Sequence, residues 1–390
     1  MNGAQSLPDP DRAGLERSAV LVDRIRAAIA ATAAGVIGFD TFMAMALYTP
    51  GLGYYAAGQA IFGAPGDFVT APESGELFGR CLARQCAEVL TQGGDAIVEY
   101  GAGSGRLAAL LIDLLAPDFP ALRYHIVEPS AALRVRQRAT LEAGAGERLA
   151  RLSWSEDHPR LGGGGVIIAN EVVDAMPARC YTIIDGQPCE LGVTWADGAF
   201  AWRPRAAAPP PSALAGALAA CAEGYRCEHI VGLAAWCAGL RDVFERGVAL
   251  VADYGYPRHE ILHPARSAGT LKCHYRHHVH DDPFFHPGLQ DITVAVDFTT
   301  LAEAGAGAGW RIAGYLPQAH FLIGCGLERL MAALHSGDAA ADYARAQEAK
   351  RLLLPGEMGQ VVKVLALALD YDAPLAAFAV DERQRLGGFA

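Results

Sequence analysis

The sequence predicts a doubly wound α/β protein, and two patterns carry that prediction. From residue 76 onward, short apolar runs alternate with helical stretches: a helix over 76–91, "AIVEY", a helix over 105–116, "RYHIV", a helix over 130–143, "LARLSW" and then "GVIIAN". Buried runs this short, separated by helices, suit a parallel sheet covered on both faces. The second pattern is the return of such runs later in the chain. After a helix over 229–245, "GVALVADYG" supplies a fifth parallel strand, and "WRIAGYLPQAHFL" and "GQVVKVLALAL" supply the last two.

The remaining segments follow from the same periodicities. Over residues 15–47, "LERSAVLVDRIRAAIAATA" and "FDTFMAMALY" place Leu, Ile and Val at helical spacing, so the chain opens with a helical segment. The next stretch, "YTPGLGYYAAGQAIFGAPGDFVTAPE", is dense in Gly and Pro and has no period. Loops of that length in a compact protein usually serve function. Beyond the fourth strand, Asp185-Gly186 and Asp197-Gly198 punctuate alternating residues, which predicts an inserted β-meander. "RAAAPPPSALAG" reads as a linker without chemistry. The expected division is an N-terminal helical segment and lid over 1–75, then a core over 76–390 with insertions at about 180–228 and 256–296.

A chain of 390 residues that is 52% hydrophobic can bury a large core. Its net charge of -11, without a sustained Lys/Arg run, argues against nucleic acid or an anionic membrane as partner. No run approaches the roughly 18 apolar residues of a membrane span. The nine cysteines are odd in number, scattered and free of any C-x-x-C pair, as expected of reduced thiols. With Asp9, Asp11 and Glu16 near the start and no basic region leading into an apolar stretch, the expected location is cytoplasmic.

The most informative short motif is "VEYGAGSGRL" after the first core strand, with Glu99, Gly101, Gly103 and Gly105 leading into a helix. Such a turn lets backbone approach a ligand, and the helix start offers unpaired N–H groups. It is not a dinucleotide fingerprint, because the position of the third small residue is Arg106. An acid two residues before the first glycine repels a pyrophosphate but suits the sulfonium and ammonium of S-adenosylmethionine. Glu128, in "YHIVEPS" at the end of the second strand, stands where an acid can accept both hydroxyls of a ribose. The plainer alternative is a generic glycine turn with two surface acids.

Taken with "GYYAAGQAIFGAPGDFVTAPE", "NEVVDAMP", "GTLKCHYRHHVHDDPFFHPGLQDITVAVDF" and "PGEMGQVVKVLAL", this motif resembles the MidA-like family of class I methyltransferases. That family includes the mitochondrial complex I assembly factor that methylates a protein arginine. The resemblance runs in order from about residue 50 to 368. It implies a Rossmann-like methyltransferase core, S-adenosylmethionine as cofactor and a protein substrate. By the same resemblance Trp154, in "SWSED", is a candidate stacking face for adenine, a core tryptophan being the alternative. Asp67 and Thr70, in "GDFVTAPE", are candidate cofactor contacts from the lid, with a structural Asx or Thr turn as the alternative.

Ligands of open α/β sheets bind beyond the carboxyl ends of the strands, and "GVIIANEVVDAMP" delivers Asn170, Glu171 and Asp174 there. Asn170 is counted with the cofactor contacts. Methyl transfer asks mainly for positioning and exclusion of water. Carboxylates can clamp a guanidinium and draw its charge away from the attacking nitrogen, so Glu171 and Asp174 are the catalytic candidates. They share a site if the chain turns into a helix there, and the alternative is that Asn170 and Asp174 cap that helix. Val172 and Val173 stand where the family pattern has an aromatic pair, so the pocket wall differs. Asp253, ending the fifth strand, is either a second substrate acid or a turn cap. The histidine-rich "KCHYRHHVHDDPFFHPGLQD" lacks helix periodicity and H-E-x-x-H, so it is read as a substrate-selecting loop and not as a metal site. A non-catalytic assembly factor and a small-molecule methyltransferase are the competing readings.

Overall fold

Five strands run parallel in the order Arg246–Tyr256, Gly164–Asn170, Ala96–Tyr100, Arg123–Val127, Leu152–Ser155. On the far side of Arg246–Tyr256, Val362–Leu369 and then Arg311–Pro317 add antiparallel, and Val296–Asp297 adds a short parallel pairing at its end. This is a doubly wound α/β sheet, closed at one edge by an antiparallel pair. The computed structural model describes residues 7–57, 71–143, 149–206 and 209–389.

The central strands are apolar throughout because both faces are covered. Every residue of Ala96–Tyr100 and Val362–Leu369 is buried. The helices Leu77–Thr91 and Arg106–Leu115 lay Leu82, Val89, Leu107 and Leu111 into one cluster with Ile97, Val166 and Leu250. Backbone contacts divide the chain into two units, one made of Thr70–Val173, Gly232–Arg258 and Val296–Ala390, which holds this sheet.

The other unit joins Met1–Val69, Asp174–Val231 and His259–Ala295. Its meander, Ala178–Ile184, Gln187–Ala196 and Ala199–Arg205, turns at Asp185-Gly186 and Asp197-Gly198, all four residues at positive φ as a two-residue hairpin of this type requires. The N-terminal segment belongs to this unit: Ile37 and Gly38 pair with Val193 and Gly192 of the meander. Phe39 and Phe42 of the helix Phe39–Tyr48 pack on Trp202 and Phe200.

Two expectations are corrected. The helix expected over 229–245 covers only Leu233–Arg241, because Arg226–Ile230 is a strand paired with Ala178–Thr182 and Gly232 turns left-handed (φ 82) before the helix. The chain also forms no helix after Asn170, since Glu171 lies at φ 53 and ends the strand in a turn. Asn170 and Asp174 therefore have no helix to cap.

Leu250 sits at the middle of the parallel sheet with 2% exposure. Leu250→Ala leaves a cavity that rigid neighbouring strands cannot close, so it is expected to lower unfolding free energy by about 2–5 kcal/mol, read from the urea midpoint.

Candidate functional site

The strand Ala96–Tyr100 ends in the glycine loop, whose three glycines all take left-handed φ values of 62, 53 and 85 at Gly101, Gly103 and Gly105. A Cβ on Gly101 would stand 3.1 Å from Val172 Cγ2, and one on Gly105 would stand 3.2 Å from the Gln137 Cα. The loop is thus pressed between the turn at 171–173 and the helix Ala131–Glu142, and only glycine combines this backbone with that room.

Behind the loop the two acids divide their work. Glu99 is buried and its Oε2 accepts the Tyr124 hydroxyl at 2.7 Å. Burial raises its pKa to about 7 and the nearby Glu128 adds to the rise, while the Tyr124 hydrogen bond works the other way. Glu128 is also buried and raised by burial, but Ser130 N–H at 2.9 Å and the Gln137 amide at 3.0 Å hold its two oxygens in place. Gln137 ties this acid to the loop, donating also to the Gly103 carbonyl at 3.3 Å. Its own amide oxygen accepts Trp154 Nε1–H at 3.2 Å, and the Arg138 guanidinium lies 4.7 Å from the Trp154 ring centroid. Trp154 is therefore anchored through its indole nitrogen with a cation over its ring, and it also packs against the core of its unit.

At the end of Gly164–Asn170 the turn is held by Asp253, which is fully buried. Its Oδ2 accepts Val172 N–H at 3.2 Å and Val173 N–H at 2.8 Å, and its Oδ1 accepts Tyr254 N–H at 2.8 Å. Glu171 N–H reaches the Ala252 carbonyl at 2.8 Å. Of the two roles open to Asp253 from sequence, this geometry is the turn cap. The Glu171 carboxylate is half-buried, and its Oε1 accepts the Asn170 amide at 3.2 Å and Ala71 N–H at 3.4 Å. Asn170 thus orients Glu171.

Asp174 falls in the other unit, buried, and its charge reaches Tyr55 there. Tyr55 donates to Asp291 Oδ2 at 2.8 Å and stacks on Tyr48 with centroids 5.7 Å apart. Burial, then Asp291, pushes the Tyr55 pKa well up. The histidine-rich segment forms a β-hairpin, Lys272–Tyr275 against His278–His280, with Arg276 and His277 in the two left-handed turn positions. Among the described residues no group of three His, Cys, Asp or Glu side chains could hold a metal ion. Asp67 and Thr70 lie outside the described residues.

Several partners were not legible in the motifs: Gln137, Tyr124 and Glu73, and the pair Tyr100–His158, whose phenol and Nδ1 lie 2.7 Å apart beside the loop. Burial raises the pKa of Tyr100 and lowers that of His158, so the pair is neutral.

A glycine cradle that excludes side chains, a ribose-type acid fixed behind it and a carboxylate at the adjoining strand end fit the nucleoside, amino-acid and methyl-bearing parts of S-adenosylmethionine. The fold and site define a methyltransferase that uses this cofactor. Residues 81–316 match the family model described as "Putative S-adenosyl-L-methionine-dependent methyltransferase", and the chain belongs to that family. It is 40% identical to a Burkholderia thailandensis protein solved with S-adenosyl-homocysteine bound, at a TM-score of 0.90, covering 96% of this chain and 98% of that one. Among curated relatives it is 29% identical to a Drosophila melanogaster mitochondrial protein named protein arginine methyltransferase NDUFAF7 homolog, over 71% of this chain and 68% of that one. The human protein of that name is 26% identical, over 85% and 80%.

Those relatives are named mitochondrial, which overturns the expectation of a cytoplasmic protein. Free cysteines signal a reducing compartment without telling one such compartment from another.

Glu99 supplies a pH signature. Its folded pKa of about 7 stands above the ordinary 4.5, so the folded state keeps a proton that the unfolded chain releases. Its contribution is full below 4.5 and is lost as pH rises toward 7. Relative to Glu99→Gln, the wild type should lose on the order of 2–3 kcal/mol across that window, read from urea unfolding at each pH. A pH-independent difference would contradict the assignment.

Proposed function

We propose that this enzyme methylates an arginine side chain of a protein, with Glu171 as the catalytic carboxylate. The observation that carries the reading is the placement of Glu171: fixed at a left-handed turn, oriented by Asn170, and one residue from the Val172 side chain that abuts Gly101. Relatives named protein arginine methyltransferases support the substrate class.

S-adenosylmethionine supplies an electrophilic methyl group on a sulfonium and is left as S-adenosylhomocysteine when that bond breaks. The glycine loop and Glu128 hold the cofactor's amino-acid and ribose parts. Glu171 binds two N–H groups of the guanidinium, drawing positive charge toward them and leaving the third nitrogen free to form its bond to carbon. One proton must then leave the methylated guanidinium, and Glu171, which holds two of its N–H groups, is the base at this edge to take one.

The test is transfer of labelled methyl from S-adenosylmethionine to lysate proteins, followed by amino-acid analysis of the labelled product. Label in methylarginine is expected. Glu171→Ala is expected to lower the rate by about 100-fold or more while leaving cofactor affinity within about threefold. Label in small molecules alone would favour a different substrate class. Cofactor binding without any transfer would favour a non-catalytic assembly factor.

A further inference from the structure

The glycine loop poses a mechanical problem that its own residues do not solve. Gly101, Gly103 and Gly105 give it the left-handed backbone it needs, but glycine also leaves a loop with more freedom than any other residue. A cofactor that must order the loop on binding does so at the expense of affinity, and a loop already held in place avoids that loss. Between Gly103 and Gly105 the one side chain available as an anchor is Ser104, which is buried.

Ser104 is anchored by a residue from outside the loop. Its hydroxyl donates a short hydrogen bond to Glu73 Oε1, and its Oγ accepts Arg106 N–H at 3.4 Å at the start of the helix Arg106–Leu115. The other Glu73 oxygen faces Arg106 Nη1 at 3.6 Å, and the Glu73 side chain is only 7% exposed. Glu73 sits on the short helix Ala71–Ser74, whose first N–H donates to Glu171 Oε1. That helix therefore spans the ends of two neighbouring strands, touching the glycine loop with Glu73 and the strand-end carboxylate with Ala71. The acid of the glycine motif itself, Glu99, turns inward to Tyr124 and makes no such contact with Ser104.

We propose that Glu73 is a positioning residue for cofactor binding: by accepting the Ser104 hydroxyl it fixes the glycine loop in the shape that receives S-adenosylmethionine. It acts through Ser104, so the two side chains form one unit. Removing either loses the same function, and removing both loses no more.

The experiment measures S-adenosylmethionine and S-adenosylhomocysteine affinity by calorimetry on the full chain, for wild type, Glu73→Ala, Ser104→Ala, the double variant and Glu73→Gln. Thermal unfolding of each variant without cofactor is measured beside it. Glu73→Ala and Ser104→Ala are each expected to raise Kd about tenfold for both ligands, with the double variant no weaker than the weaker single. Glu73→Gln keeps an oxygen that can accept the Ser104 proton and is expected to stay within about threefold of wild type. Unchanged Kd in both alanine variants, or effects that multiply in the double variant, would overturn the proposal. So would a Glu73→Gln variant as weak as Glu73→Ala, or Kd changes that appear only where the melting temperature has fallen. Because the readout is cofactor affinity in the Glu73 and Ser104 variants, loss of methyl transfer with intact Kd in Glu171→Ala bears on the proposed function alone and leaves this proposal standing.

Discussion

The constraint on which the turn after Gly164–Asn170 depends is the burial of the Asp253 carboxylate. A buried carboxylate is tolerated only when its lone pairs are satisfied, and here three backbone N–H groups do so. Two of them belong to Val172 and Val173, so the same interaction that stabilises the acid fixes the chain leaving Gly164–Asn170. Glu171 can then occupy a left-handed conformation that a non-glycine residue adopts only when its surroundings impose it. The direction of the Glu171 side chain is thereby a property of the neighbouring strand.

The same logic of fixed surroundings runs through the cofactor side. Glu128 is held from two directions, and Gln137 couples it to the Gly103 carbonyl and to Trp154. A site so arranged loses little entropy on binding and keeps its donors and acceptors aimed. Methyl transfer gains most from positioning, and rigid placement of a few polar groups on strand ends is what this fold provides.

The parallel core was legible because buried strands write themselves as unbroken apolar runs, as in "AIVEY" and "VKVLALAL". The glycine loop was legible because its backbone leaves few residue types possible. The Asp-Gly hairpins were legible for the same reason, whereas Arg276 and His277 fill the equivalent turn positions with residues that give no such signal. The end of the strand Arg226–Ile230 was read as the start of a helix because its identity comes from pairing with Ala178–Thr182, far away in sequence. Glu73, Tyr124 and Gln137 were missed for a related reason: each acquires its role from a partner brought near only by folding. The sequence placed Glu171 at a strand end, where it lies, but the turn that holds it was expected to be a helix, since nothing local announces that Asp253 will bind Val172 and Val173.

The N-terminal helix Arg12–Ala30 buries Leu21 and Ile25 on one face, and Ser18 donates to the Pro287 carbonyl, 269 positions further on. The unit to which it belongs is complete only when the chain has reached Ala295. At ribosomal rates of roughly 5–20 residues per second, this helix is left without its Pro287 partner for on the order of tens of seconds. Its apolar face is a waiting surface during that interval. For the Ser18–Pro287 contact, the order of synthesis and the order of assembly are thus far apart.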